Sequence, residues 1–579
     1  MSLTNALHIG RTGLTASQIA IQVAGNNMAN AATPGYSRQL TRISPLRAGS
    51  TSLQSSIGAG AQVTAVQRQV DNAIQARLWG ATADDARQNA LAGVYGQIES
   101  ILGELGDNDL SSELSSFFSA WSERANQTRS SASVVQQGDR LASFVQRLRS
   151  DLVDQSRQSD STLGAAVDGA NSLIDQIAHL NGEISGAEIA GQEANVLRDQ
   201  RDQLITQLSA YMEVSVVDRG REGVDVLVGS TPVVLGSVAR GVQVKRTVNA
   251  DGSTQVGVET TAGQSGLTVT SGQIGAAIAS RDGTIENLIG RVDDISRQLI
   301  WQVNRLHSTG VSGNGYAALT GSTAFGTADR ALALNDPENT AMQGLPGQPS
   351  NGGFVVRVRQ SATGAMTTVR IDVDLDGITS AGTPGTDDDT TAESIRAQIN
   401  SIAGVSASFN AEGKLTVSAD EGFTFSFEDD TSGALAALGM NSFFSGSDGA
   451  TLAVRSDLKT DPQKLAAGRY VNGQLVENGT ALQLAQIQDA PLEALSGQSL
   501  AGMWRDAVQE VGGKSAGAQS AAAAATLVRE SLEAQRAAVS GVSLDEESVN
   551  LLQYQRQYQA SARLISVVDE LTQTLIGIV

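Results

Sequence analysis

Two stretches of this chain, and its few histidines, carry side chains that could do chemistry. Asp372-Val373-Asp374-Leu375-Asp376-Gly377 reproduces the first half of an EF-hand loop, with carboxylates at the alternate positions that hold Ca²⁺. The twelfth position is Thr383, where a bidentate Glu is needed, and alternating Asp on the wet face of a strand explains the run equally well. Gly513-Lys514-Ser515-Ala516-Gly517 touches two other motifs. As a phosphate-binding loop it fails because Val508 stands where the first Gly is required and no strand precedes it. As a nucleophile elbow it fails because His8, His179 and His307 all lie upstream, whereas that arrangement places its His last. A turn between two helices is the expected reading. The three histidines share no metal spacing, and the absence of cysteine removes a disulfide, a Cys metal site and a Cys nucleophile. No catalytic, cofactor-binding or metal-ligating residue is therefore assigned.

Composition narrows the partners. A formal charge of −21 disfavours nucleic acid. Nothing approaches the ~20 apolar residues of a membrane span, and Ser2 to Val23 has neither the basic region nor the apolar core of a secretory signal. With 579 residues the chain needs several cores, while only 4% aromatic content favours close small-residue packing over aromatic-lined pockets.

The elements that would position any site are mainly helical. At the N-terminus Leu7, Leu14, Ile21 and Met28 recur every seven residues, with Leu3, Gly10, Ser17 and Ala24 at the second heptad offset. The helix must stop at Asn26-Asn27-Met28-Ala29-Asn30-Ala31-Ala32-Thr33-Pro34-Gly35-Tyr36, because Pro34 biases Thr33 away from helix and Gly35 permits the positive φ of a Pro-Gly turn. Leu40 to Val70 reads as a linker that orders on assembly. Helical periodicity then runs through Leu78–Leu105, Leu114–Asn126, Ser131–Glu188 and Glu193–Tyr211, the last with Val196, Leu197, Leu204 and Leu208 inward and Arg198, Asp199, Arg201 and Asp202 outward.

The period changes to two at Val214, with hairpins turning at Gly220–Gly223 and Asn249–Gly252. Helix resumes over Ile274–His307. Strands follow around Val356, Ile371, Ala407, Val417 and Phe425, with a capping box at Thr390–Glu393 opening a short helix. Two helices, Leu500–Val511 and Ala521–Val539, precede a last one with its own seam of Leu551, Tyr554, Tyr558, Ser561, Ile565, Val568, Thr572 and Leu575. The two ends are complementary in charge: Arg11, Arg38, Arg42, Arg47, Arg68 and Arg77 at one, Asp545, Glu546, Glu547, Asp569 and Glu570 at the other.

The expected fold is multi-domain and mainly α: terminal helices paired as a coiled-coil-like axial domain (1–70 with 541–579), an elongated helical bundle (71–212 with 272–315 and 455–540), a small β insert (213–271) and an α+β insert (316–454). Two helices of complementary charge bury little apolar area, so the ends are expected to be mobile in the free monomer and to order on assembly.

Together the termini resemble the axial proteins of the bacterial flagellum, the family of rod, hook and hook-associated proteins. Asn26–Asn30 with Thr33–Tyr36 is similar to the motif after that family's first helix, and Ser548–Leu552, Tyr558–Arg563 and Asp569–Leu571 are similar to its last helix. Pro34–Gln39, Tyr554–Gln559 and Ala194–Leu204 bring the resemblance closest to the hook-associated members. It covers the ends and the helical frame to about Val217 and departs most over Tyr316–Ala450. What it implies is a structural subunit with no cofactor, exported through the flagellar type III apparatus with a chaperone. The subunit would be extracellular and would form a ring or helical homo-oligomer at the hook end, touching the hook protein and the second hook-filament junction protein. The assembly interface so implied is Leu3, Leu7, Leu14, Ile21, Asn26, Asn27, Met28, Asn30, Pro34, Gly35 and Tyr36 with Leu551, Tyr554, Tyr558, Ile565, Val568 and Leu575. A hook or distal-rod protein is the nearer alternative, and a secreted enzyme working through the 316–454 insert the farther one.

Overall fold

The computed structural model describes residues 3–46, 58–103, 109–127, 129–191, 193–249 and 254–578. Its helices are α1 (Leu3–Ala29), α2 (Asn72–Leu102), α3 (Leu110–Ala125), α4 (Ser131–Ala187), α5 (Asn195–Ser209), α6 (Gly272–Ser280), α7 (Glu286–Ser308), α8 (Ala392–Asn400), α9 (Ala434–Ala437), α10 (Ser456–Thr460), α11 (Gly479–Ala485), α12 (Leu500–Ser540) and α13 (Leu544–Ile578). The fold is multi-domain and mainly helical, with small β modules. Two compact units emerge: Met1–Val94 with Gln158–Asp282 and Ser515–Val579, and Tyr95–Arg157 with Gly283–Lys514. No helix among the described residues is long and apolar enough to cross a membrane.

The first unit contains α1, α13 and a β module. Leu40–Val70, expected as a linker, holds instead an antiparallel hairpin of β1 (Gln39–Pro45) and β2 (Ala61–Arg68), with residues 47–57 outside the described set. Its strands are short and Ser/Gln-rich, so their alternation is faint. They are fixed from outside: a Cβ on Gly60 would come 2.1 Å from Thr12 Oγ1 of α1. Further on, β3 (Ser215–Asp218), β4 (Val224–Val228), β5 (Thr231–Leu235) and β6 (Val238–Ala239) make one sheet, and β7 (Val242–Val248), β8 (Thr254–Thr260) and β9 (Gly266–Leu267) another. Most of the expected turn Asn249–Gly252 lies outside the described residues. The alternate valines Val224, Val226, Val228, Val242, Val256 and Val258 are buried against Leu163, Val167, Ile174 and Ile177 of α4 and Ile205 and Leu208 of α5. Period-two strands thus cover the apolar stripe of two period-3.6 helices.

In the second unit β10 (Ala318–Ala324), β11 (Gly352–Gln360), β12 (Met366–Val373), β13 (Val405–Phe409), β14 (Lys414–Ala419) and β15 (Phe423–Glu428) form two three-stranded sheets, ordered β10-β14-β13 and β12-β11-β15. Phe354, Val356, Ile371, Ile395, Ile399, Val417, Phe425 and Phe427 fill their core. The capping box that opens α8 lies one residue later than expected: Thr391 Oγ1 accepts from Ser394 N–H at 2.9 Å and Ser394 Oγ from Thr391 N–H at 3.0 Å. Thr390 is occupied elsewhere, its Oγ1 accepting from Asp374 N–H at 2.8 Å.

The expected turn at Gly513–Gly517 is absent. Those residues continue one 41-residue helix, α12. None of Gly512, Gly513 and Gly517 adopts a positive φ, and the alanine run 521–525 has the highest helix propensity available, so the glycines weaken the helix without ending it. Likewise the stretch expected as one helix over Ile274–His307 is interrupted by a π-helical turn, Arg281–Ile285, where Arg281 donates to Asp160 Oδ1 at 2.6 Å and to Thr254 O at 2.8 Å.

Candidate assembly interface at the chain ends

α1 and α13 pack directly on one another, and the buried residues of α1 are Gly10, Ala16, Ser17, Ala20, Ala24 and Asn27. Small side chains thus make the seam. A Cβ on Gly10 would come 2.7 Å from Ile565 Cγ1, and one on Gly13 2.9 Å from Ser561 Oγ, so the backbones approach as only small residues allow. Leu3, Leu7, Leu14, Ile21 and Met28 flank that seam half-buried. On α13, Val568 is buried, Leu551, Tyr554 and Ile565 are half-buried, and Tyr558 and Leu575 are exposed.

The motif after α1 closes a polar latch. Thr33–Tyr36 is a turn with Pro34 and Gly35 at its centre, Gly35 at φ 81° and Tyr36 N–H donating to Thr33 O at 3.2 Å. The turn carries Tyr36 back so that its hydroxyl donates to Asn27 Oδ1 at 2.8 Å. Asn27, 1% exposed, also accepts from Gln39 N–H at 3.0 Å, and its Nδ2 donates to Gln39 O at 2.9 Å and to Glu547 Oε2 at 3.2 Å. All four hydrogen-bonding positions of a buried amide are filled, which is the condition for burying one at little cost. Asn26 and Asn30 stay outside this latch, Asn30 Nδ2 donating to Asn26 Oδ1 at 2.6 Å.

The charge complementarity of the ends resolves into Arg38, which bridges Glu546 at 2.7 Å and Glu547 at 2.7 Å while its N–H donates to Ser540 O at 2.8 Å. Burial, then Asp199 and Glu547, push the Tyr36 phenol up to about 12, so it remains a donor across the physiological range.

α5 departs in part from the expected polarity: Leu208 is buried and Leu197 and Leu204 half-buried as expected, but Asp199 and Arg201 are buried as well and Val196 is 55% exposed. Asp199 Oδ2 accepts from Ser37 N–H at 3.1 Å and its Oδ1 from Arg68 at 2.8 Å, while Asp202 takes Arg68 at 2.9 Å. Burial opposes the charge on Arg68, but Asp202 and Asp199 outweigh it and raise the guanidinium above its ordinary value. The charged residues of α5 therefore tether the hairpin that leaves α1. Sequence reasoning placed Asp199 and Asp202 on a wet face and Arg68 in a linker. The signal was the doubled Arg-Asp-Gln, which puts acids three residues apart on one helix face.

Among the described residues a second stripe on α13 is left largely uncovered. Val549, Leu552, Leu564, Val567 and Leu571 are 40–64% exposed and lie roughly 120° round the helix from the seam, at 3.6 residues per turn.

Four family models match. The flagellar hook-associated protein FlgK helical domain covers residues 95–325, the flagellar basal body rod FlgEFG protein C-terminal 534–578, the flagellin hook IN motif 362–421 and the flagella basal body rod protein 7–36. Flagellar hook-associated protein 1 of Escherichia coli (strain K12) is 25% identical over the whole of both chains. That of Bacillus subtilis (strain 168) is 30% identical over 223 residues, 36% of this chain and 43% of its own. Among solved structures, the flagellar hook junction protein FlgK from Burkholderia pseudomallei aligns with 81% of this chain and 100% of its own, at 15% identity and a TM-score of 0.47. With relatives matched end to end and the helical domain and both termini recognised, the chain is similar over its whole length to flagellar hook-associated protein 1.

Proposed function

We propose that this chain is the structural subunit that joins hook to filament, polymerising at the distal end of the hook and seating the second junction protein. The observation that carries this reading is the uncovered stripe Val549, Leu552, Leu564, Val567 and Leu571, on a helix that already packs another face on α1. Exposed apolar side chains grouped on one face of a helix, here at 549–552 and 564–571, mark an interface, and a helix that packs on neighbouring copies around an axis has such a surface on each subunit. The partners on this reading are further copies of the chain, the hook protein and the second junction protein. Export proceeds through the flagellar type III apparatus with a chaperone, to an extracellular position at the hook-filament junction. The role is structural rather than catalytic.

Deleting residues 551–579 tests it. The truncated protein is expected to remain soluble and folded in its remaining units, and cells carrying it to make hooks without filaments. Filaments assembled on the truncated protein would overturn the proposal, and labelled protein found along the whole hook, rather than at its tip, would replace it with the hook or rod reading.

A further inference from the structure

The Asp372–Gly377 run does not lie wholly on a strand. β12 ends at Val373, so Asp372 stays on the strand and pairs with Arg370 at 2.7 Å, while Asp374 and Asp376 enter the following loop. That loop returns at Asp389, and one carboxylate oxygen each of Asp374, Asp376 and Asp389 lies within 4.8 Å of the others.

Asp374 and Asp376 are exposed, and by themselves such acids mean little. Asp389 is different. It is 4% exposed, and its Oδ2 accepts from Asn335 Nδ2 at 2.6 Å and Gly377 N–H at 3.2 Å, while its Oδ1 is buried without any hydrogen-bond partner. Among the described residues no Lys, Arg or His lies within ion-pair distance of any of the three carboxylates. The Oδ1 of Asn335, whose amide holds Asp389, is buried and unpartnered as well. A buried carboxylate close to two others without a compensating cation is a costly arrangement, and the three carboxylates, with the orphaned oxygens of Asp389 and Asn335 among their atoms and neighbours, form an all-oxygen donor set.

We propose that Asp374, Asp376 and Asp389 bind a Ca²⁺ ion, with Asn335 Oδ1 as a candidate fourth donor. Ca²⁺ takes oxygen ligands at about 2.3–2.6 Å in flexible geometry and completes its shell with water, so opposed ligands stand up to about 5 Å apart, which this trio accommodates. The loop is tied to its surroundings by Thr390 N–H donating to Asp374 O at 2.7 Å, so ion binding would brace β12 against the start of α8. The EF-hand pattern was a false lead as to spacing, because the third carboxylate comes from the far end of the loop and not from position twelve.

The test is calorimetric titration of Ca²⁺ into the full-length chain after chelation, together with thermal melts in Ca²⁺ and in chelator. Saturable binding of one ion is expected, with a Kd of about 10⁻⁴–10⁻³ M as in other exposed modules of few ligands, together with a higher melting temperature in Ca²⁺. Asp376→Asn, at an exposed position where folding is not at stake, is expected to weaken binding at least about tenfold. Asp372→Asn, outside the trio, is expected to leave it unchanged. No saturable heat at about 10 mM Ca²⁺ with identical melts would overturn the proposal, as would equal effects of the two substitutions.

Discussion

The paired terminal helices and the core of the second unit are held together by opposite means. Between α1 and α13 the contact is made by Gly10, Gly13, Ser17 and Ala24, with a polar latch around Asn27. In the second unit, Phe117, Phe118, Trp121, Phe443 and Phe444 pack edge to face or tilted with centroids 4.7–6.4 Å apart, closing over His307. Close approach of small residues buries little area and leaves a second helix face free. An aromatic cluster buries a great deal and leaves nothing to share. A scarce aromatic complement is thus concentrated where a unit must be stable alone, and withheld where, on the proposed function, the chain binds its own copies.

Truncating the aromatic side of this contrast has the largest expected effect. Trp121→Ala, at a fully buried position, is expected to cost about 3–5 kcal/mol, read as a lower urea midpoint for the second unit. Hydrogen exchange in α1 is expected to stay unchanged.

Acid comes next. His307 is fully buried, its Nδ1 lying 2.6 Å from Asn441 O and its Nε2 accepting from Ala466 N–H at 3.2 Å, which fits the neutral ring. Burial pushes its pKa down from 6.5 to about 4. Between those values the unfolded chain binds the extra proton, so stability is complete above about pH 6.5 and declines as pH falls, by about 3 kcal/mol at pH 4. Urea midpoints of wild type and His307→Gln across that range check it: the slope is expected to flatten in the variant.

The polar latch is the weaker of the two devices. Asn27→Ala strips partners from Gln39 N–H and O, the Tyr36 hydroxyl and Glu547, and is expected to cost about 2–3 kcal/mol. The readout is faster hydrogen exchange over residues 10–24 and 551–568. Glu546→Gln, at a side chain 62% exposed, is expected to change stability by no more than about 0.5 kcal/mol. An equal effect of these two substitutions would mean that the latch is held by charge and not by the saturated amide.

Long helices were legible because an apolar stripe repeated over many turns has one reading: Ser131–Glu188 was expected, and Ser131–Ala187 is observed. The motif residues Asn27, Pro34, Gly35 and Tyr36 were legible as a helix stop. That Asn27 saturates its amide against Tyr36, Gln39 and Glu547 was not, because three of those bonds return over nine or twelve residues and the fourth over 520. α5 misled for a related reason: Arg68 pairs with Asp199 and Asp202, and Ser37 N–H with Asp199, and the doubled Arg-Asp-Gln puts the acids on one face without naming a partner more than 130 residues away.

By itself, then, the sequence determined most of the long helices and the valine-rich strands, where the first helix ends, and that the two ends carry complementary charges. All of these follow from local stereochemistry and periodicity. Only the tertiary structure decided which stripe of α13 is spent on α1 and which stays free, that acids on α5 face inward, and that Asp389 completes a carboxylate trio begun at Asp374. Each of these depends on which distant group supplies the compensating hydrogen bond, charge or surface, and that is fixed by packing.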